Sequence, residues 1–189
     1  GELTTDDFQT TTFEECNTGS EYCHSVNFVK EVSDEMLDGL DWLLVDPGST
    51  IHICRDRNKL TNLTHRRTQV SGIISGSISI ATEMGDWKLA LRNQHGKFKS
   101  FQLKNVIVVP NATKDILACK GLPKGWWPHI EKKHLYNRSQ DNIFPYLETS
   151  KGLGMIPSLR PAGKKGKYSV TQNMKSDLER AFGKQGAFE

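Results

Sequence analysis

The sequence lacks the features that build disulfide frameworks and membrane spans. Its 189 residues include four cysteines, which lie in different segments and form no Cys-x-x-Cys pair. That spacing excludes a dense disulfide scaffold and a zinc knuckle, and it favours a reducing, cytoplasmic setting. No apolar run approaches the length of about 20 residues that a membrane helix needs, and no segment resembles a signal peptide. We therefore expect no membrane partner.

Apolar residues are also scarce. Hydrophobic residues make up 36% of the chain and charged residues 25%. The apolar share is low for one compact globule of this length, so we expect part of the chain to lie outside the core. The formal net charge of +3 conceals an asymmetry, because residues 1–41 are rich in acids and hold one base, Lys30, whereas residues 151–189 are rich in Lys and Arg.

The stretch most suggestive of chemistry covers residues 42–50. Four apolar residues lead into Asp46, and a Pro-Gly turn and two hydroxyls follow. This order predicts a buried strand that ends at Asp46, on a turn whose glycine leaves backbone N–H groups open to the carboxylate. The alternative is an Asp that only closes a surface turn, since Asp, Pro and Gly are common turn residues. The residues of this candidate catalytic loop are Pro47, Gly48, Ser49 and Thr50.

The rest of the chain divides by composition into four parts. Residues 1–40 are predicted to be an acidic, largely disordered linker, and residues 41–125 a mainly β domain. Residues 126–150 are predicted to be an ordered extension, and residues 151–189 a basic flexible tail with a short helix over residues 176–183. Within the β domain we expect a surface segment with a short helix at residues 55–68 and a hairpin with a small glycine-bearing tip near Gly76.

No metal site and no cofactor is expected. Cys16, Cys23 and His24 lack a clear fourth ligand. His129 and His134 are five residues apart, which is not the i, i+4 spacing of a helical metal pair, so we interpret them as surface histidines.

The order of motifs resembles the protease region of Ty1/copia-type retrotransposon polyproteins. The resemblance covers about residues 42–125, and no single motif in it is decisive. A start at Gly1 rather than Met fits either a fragment or a product cut from a longer polyprotein. The matching positions are Trp42, Asp46, Gly48, Ser49, Thr50, His52 and Ile53, then Leu60, Asn62 and Leu63, then Gly76, Ser77 and Gly85, and last residues 105–110 and 115–118.

The resemblance implies a retropepsin-like fold, a small closed β-barrel half that carries one catalytic Asp. Aspartic protease chemistry needs two carboxylates that share a proton, one acting as base on a water and the other donating to the carbonyl oxygen. We find one Asp-x-Gly-Ser/Thr motif in the chain, so a second Asp46 must come from a second copy in a two-fold homodimer. The expected substrate is an extended peptide segment of the polyprotein, cut in virus-like particles in the cytoplasm.

The resemblance also implies supporting roles for two segments. The hairpin tip becomes a flap, a mobile lid that closes over the peptide and excludes water. The apolar run after Asp115 becomes a strand behind the catalytic loop, although by itself that run also fits the start of a short helix. The flap residues are Ile74, Ser75, Gly76 and Ser77, and the loop-backing residues are Ile116, Leu117 and Ala118.

Two positions depart from the family pattern. The family has Ser or Thr where this chain has Pro47, and that hydroxyl normally bonds to the backbone of the partner's loop. Proline lacks both the hydroxyl and the backbone N–H, so a weaker dimer is expected. This departure favours a second hypothesis, a catalytically weak or inactive dimerisation or assembly module. The other departure is Asp115, which stands where the family has Asn.

The basic tail suggests a third hypothesis, nonspecific binding of RNA or DNA through phosphate contacts. Few aromatic residues are interleaved with the bases, so base-specific recognition is not indicated. The alternative is a solvated linker toward a further polyprotein domain. The bases concerned are Lys151, Arg160, Lys164, Lys165 and Lys167.

Overall fold

A computed structural model describes residues 14–15, 17–18, 40–71, 78–138, 141–160 and 169–183 of the chain. These residues are mainly β, as the sequence predicted, with one α-helix, α1 (Gln172–Phe182), among them. The strands in chain order are β1 (Glu14–Glu15), β2 (Asn17–Thr18), β3 (Leu40–Asp46), β4 (Ile53–Cys54), β5 (Thr61–Ser71), β6 (Ile78–Arg92), β7 (Phe98–Val108), β8 (Asp115–Ala118), β9 (Trp126–His129), β10 (His134–Asn137), β11 (Asn142–Pro145), β12 (Leu147–Glu148), β13 (Gly154–Leu159) and β14 (Ser169–Val170).

Nine strands form one sheet, in which the neighbours run β1-β7-β4-β8-β3-β13-β6-β5. Strand β12 pairs with β13, and β6 pairs with β7 as well as with β5. Strand β3 lies between β8, to which it is parallel, and β13, to which it is antiparallel. The strand that ends at Asp46 is therefore held on both sides.

The main core lies between the large sheet and a smaller three-stranded sheet of β9, β10 and β11. Leu43 and Val45 of β3 pack in the same cluster as Trp126, Leu135 and Phe144 of the smaller sheet. One core thus joins residues on both sides of position 125, and the predicted boundary there does not separate two folding units. The extension at residues 126–150 is part of the packing that supports β3.

The predicted flexible tail is wrong for residues 154–159. These residues form β13, which pairs with β3 from Met155↔Leu44 to Leu159↔Leu40. Gly154 and Pro157 give this segment a loop-like composition, but its apolar side chains are buried against β3. The tail of this chain is therefore in part a structural strand.

Helix α1 packs its apolar side against the large sheet. Thr171 caps its N-terminus by accepting a hydrogen bond from the Met174 N–H, and Gly183 follows its last turn with a φ of 84°. Met174, Leu178 and Phe182 recur at helical spacing and pack against buried residues of β3, β7 and β13. The predicted end of the helix agrees with the structure, but the helix begins four residues earlier than predicted.

The polar segment at residues 55–68 also differs from the prediction. A 3-10 turn covers Arg57–Lys59, and β5 begins at Thr61. Strand β5 pairs antiparallel with β6 up to Ser71↔Ile78, so the predicted hairpin is present as two paired strands. Residues 72–77, including the predicted tip, lie outside the described residues.

Candidate active site

Asp46 is the last residue of β3, and its register with β8 sets its position. Val45 lies opposite Leu117 and Asp46 opposite Ala118, in parallel pairing. Val45, Leu117 and Ala118 are buried, whereas Asp46 is half-buried. As the sequence predicted, the apolar run forms a buried strand that ends with the Asp46 carboxylate at the edge of the core.

The turn after Asp46 is closed by the carboxylate itself. Gly48 donates its backbone N–H to Asp46 Oδ1 at 3.0 Å, and the Ser49 N–H approaches the Asp46 carbonyl oxygen at 3.4 Å. The Ser49 hydroxyl donates to the Ile51 carbonyl at 3.2 Å. Pro47, Gly48 and Thr50 are exposed. The loop thus fixes one carboxylate oxygen and presents an exposed backbone to whatever approaches it.

His52 anchors the loop to the strand behind it. Its Nδ1 accepts the Ala118 N–H at 3.0 Å, and its Nε2 lies 3.2 Å from the Gly121 carbonyl oxygen. Because Nδ1 accepts a backbone N–H, the proton is on Nε2, which donates to Gly121. The Lys120 N–H adds a bond to the Ser49 carbonyl at 3.1 Å. The segment after Asp46 is therefore fastened to the chain around residues 118–121 at three points.

Gly121 allows this close approach. A Cβ at this position would lie 2.7 Å from the Thr50 carbonyl oxygen and 3.2 Å from His52 Nε2. Gly121 ends a 3-10 turn over Cys119–Gly121 that directly follows β8. Ile116, Leu117 and Ala118 therefore form a strand beside Asp46, and the helical turn begins one residue after that apolar run.

Burial makes His52 sensitive to acid. The ring is fully buried, and desolvation lowers its pKa to about 4, although the bond to Gly121 partly opposes this shift. In the unfolded chain the pKa returns to about 6.5, so protons bind the unfolded state more readily between these two values. The stability associated with neutral His52 is therefore complete above pH 6.5 and declines as the pH falls towards 4.

We expect His52 to make the free energy of unfolding fall by about 3 kcal/mol between pH 6.5 and pH 4. Urea unfolding of the parent and of a His52→Leu variant across this range measures it. Leucine does not titrate, so the stability difference between the two proteins should shrink as the pH falls. A difference that stays constant with pH would contradict a buried neutral histidine.

An ion-pair cluster secures the other end of β3. Asp41 is buried and receives the Lys59 ammonium at 2.8 Å and the Arg160 Nε at 2.7 Å. Asp115, at the start of β8, accepts the Arg55 backbone N–H at 2.8 Å. Burial raises the pKa of Asp115, and the bond from Arg55 opposes this rise. Asp115 thus ties β8 to the segment after β4.

The Arg160 guanidinium therefore makes its hydrogen bonds within the fold. Besides Asp41 it donates to the Leu40 carbonyl oxygen at 2.8 Å. Of the other bases in the nucleic-acid hypothesis, Lys151 is exposed, and Lys164, Lys165 and Lys167 lie outside the described residues. Cys16, Cys23 and His24, at which no metal site is expected, also lie outside them, as do the predicted flap residues Ile74, Ser75, Gly76 and Ser77.

The two described cysteines are not candidate nucleophiles. Cys54 and Cys119 are buried, and burial raises the pKa of each thiol to about 12. The Asp46 carboxylate adds to the shift at Cys119. Since the thiolate is the reactive form, neither sulfur is suited to nucleophilic catalysis at neutral pH.

Within the described ranges, no group of three or more His, Cys, Asp or Glu side chains is placed so that it could hold a metal ion. In the same ranges no helix is both long and apolar enough to cross a membrane.

No protein-family model matches the chain, and neither the curated proteins nor the solved structures contain a match to it.

Proposed function

We propose that this protein is an aspartic endopeptidase of a retrotransposon polyprotein that acts as a homodimer with one Asp46 from each chain. The observation that carries the proposal is the Asp46 loop. A half-buried carboxylate ends a strand paired on both sides, and its own turn fixes one of its oxygens through Gly48. Such preorganisation is what a general acid–base pair requires, because misplaced groups transfer protons poorly.

The sheet supports the proposal through its pairing path. From β7 the path runs through β4, β8, β3 and β13 to β6, and β6 pairs again with β7. A path that returns to its start is what a small barrel-like half would give. Strands β5 and β6 pair antiparallel up to Ser71 and Ile78, and the predicted flap lies between these two residues in the sequence. Both features agree with one retropepsin-like half per chain.

In the proposed mechanism the two Asp46 carboxylates share one proton across the two-fold axis. The ionised carboxylate takes a proton from a water, whose oxygen attacks the peptide carbonyl carbon. The protonated carboxyl donates to the carbonyl oxygen, which gives a neutral tetrahedral diol. The C–N bond then breaks, and the amine nitrogen gains a proton from the Asp46 carboxyl that is now protonated. One diol hydroxyl gives its proton to the other Asp46 carboxylate as the acid product forms.

Incubation with an unfolded protein substrate tests the proposal. We expect cleavage whose rate per chain rises with chain concentration until the dimer saturates, and inhibition by a statine-containing peptide that mimics the tetrahedral diol. Binding of one inhibitor to every two chains is the expected stoichiometry. Cleavage with a concentration-independent rate per chain would contradict a site shared between chains.

Pro47 is the observation that favours the alternative, a catalytically weak or inactive dimerisation or assembly module. It is exposed at the tip of the loop and carries neither a hydroxyl nor an N–H for a partner. The Asp46–Gly48 bond forms within one chain and does not depend on that missing donor. Under this alternative the chain would still dimerise but would leave the substrate intact.

Replacing Pro47 with Ser should tighten the dimer. Two reciprocal hydrogen bonds at about 0.5–1.5 kcal/mol each correspond to a roughly 5- to 150-fold lower dissociation constant. Sedimentation over a range of chain concentrations measures this constant. Pro47→Ala is the matched control, because it removes the ring without adding a hydroxyl. Equal dissociation constants for the Ser and Ala variants would contradict the proposed contact across the axis.

A further inference from the structure

His129 and His134 form a pair that the sequence spacing conceals. They lie on adjacent antiparallel strands, β9 and β10, and are directly opposite each other in the register. Their ring centroids are 5.3 Å apart, with the ring planes inclined at 45°. Directly opposed side chains on one face of a strand pair are close neighbours. The helical i, i+4 test that argued against a metal pair therefore does not apply to these residues.

The hairpin between them is held rigidly. Its four-residue loop is closed by the Lys133 N–H, which donates to the Ile130 carbonyl at 3.3 Å, and Lys133 has a φ of 53°. The Lys133 carbonyl in turn accepts the Tyr146 N–H at 2.9 Å. On the opposite face of the strands, Trp126 and Leu135 are packed in the main core. The two histidines are thus carried by a backbone that the fold fixes.

The His134 ring is also oriented by the backbone. It hydrogen-bonds to the backbone of Lys132, which is the kind of contact that fixes the ring orientation of metal-binding histidines in proteins. Burial, His129 and Lys132 lower the His134 pKa, and the backbone hydrogen bond to Lys132 opposes this shift. Glu131 and the Lys132 and Lys133 ammonium groups belong to the same loop and set its local charge.

The spacing of the rings matches chelation. Two imidazoles bound at about 2.0–2.1 Å to one tetrahedral ion have centroids roughly 5 Å apart. The observed 5.3 Å agrees with this value. Imidazole nitrogens favour Zn²⁺, Cu²⁺ and Ni²⁺ over Mg²⁺ and Ca²⁺, which prefer oxygen ligands.

We propose that His129 and His134 form a two-imidazole binding site for a divalent transition-metal ion such as Zn²⁺. The remaining coordination positions go to water or to a ligand from outside the chain. Trp127 and Tyr136 lie next along the same face, with their rings 5.0 Å apart at centroids, so such a ligand would meet an aromatic surface. This site is separate from the Asp46 loop and does not depend on proteolytic activity.

A Zn²⁺ titration followed by histidine ¹H–¹⁵N spectra of the whole chain tests the proposal. The signals of His129 and His134 should shift together and saturate with a single ion. This transition should occur at a Zn²⁺ concentration about tenfold or more below any change at the exposed His65 and His95. A shift of one histidine without the other, or a shift only when His65 and His95 also respond, would overturn the proposal.

Single variants provide the second arm of the test. In His129→Gln, the His134 transition should move to a Zn²⁺ concentration about tenfold or more higher, because a chelate becomes a single ligand. His95→Gln is the matched control and should leave the His134 transition where it is. Amide spectra of each variant report that the hairpin is retained. An unchanged His134 transition in His129→Gln would overturn the shared site.

Discussion

Replacing Asp46 with Asn is expected to abolish peptide cleavage. Asparagine has nearly the same shape and keeps an oxygen that can accept the Gly48 N–H, so the loop should keep its conformation. It cannot take a proton from water or hold the proton that a dyad shares. Loss of general acid–base catalysis alone corresponds to about 10²- to 10⁴-fold in rate. Product formation from an unfolded protein substrate, followed over hours, measures the effect.

The matched control is Asp141→Asn. Asp141 is exposed and has a φ of 49°, a conformation that Asn also adopts readily. The Asp141→Asn substitution removes one negative charge, as Asp46→Asn does, but in the loop between β10 and β11. We expect parental cleavage from this variant. Equal cleavage by the parent and by Asp46→Asn would contradict the endopeptidase proposal. A parent protein that dimerises but does not cleave would support the alternative, an inactive assembly module.

Replacing His52 with Leu is expected to lower the free energy of unfolding at pH 7 by about 2–5 kcal/mol. Leucine fills a similar volume, but the Ala118 N–H and the Gly121 carbonyl then lose their partner inside the core. Each buried polar group left without a partner costs about 1–3 kcal/mol. Urea unfolding at pH 7 measures the change, and the exposed His65→Leu serves as its control.

The same substitution should also affect the conformation of the Asp46 loop. His52 connects the segment after Asp46 to residues 118–121, so its loss frees the loop on the side that faces β8. We expect cleavage by His52→Leu to fall even at temperatures where the variant is fully folded. A variant that is destabilised but cleaves like the parent would limit His52 to a role in stability.

The sequence predicted a strand correctly where its apolar residues form a continuous run. The run before Asp46 is apolar and ends at a Pro-Gly turn, and the structure has β3 and its turn at those residues. It failed for β5, because His65, Arg66, Arg67 and Gln69 are exposed and leave no apolar alternation to detect. It failed for β13, where Pro157 and the nearby glycines are typical of loops although Met155 and Ile156 are buried.

At the candidate site, only contacts between residues close in sequence could be predicted. Asp46 and Gly48 are two residues apart, and their hydrogen bond follows from the turn. The partners of His52 lie 66 and 69 residues further along the chain, so no local pattern indicates that it holds the loop. The two strand histidines, His129 and His134, were tested against helical spacing, which cannot detect a pair brought together by a hairpin.

The central claim is that one active site requires an Asp46 carboxylate from each of two chains. The most direct measurement mixes equal amounts of parent and Asp46→Asn chains, lets them exchange, and assays cleavage at a total concentration where the parent is fully dimeric. Random pairing leaves about a quarter of the dimers with two Asp46 side chains, so the activity should fall to about a quarter of that of the undiluted parent. Activity of about half, which chains acting singly would give, would contradict the claim.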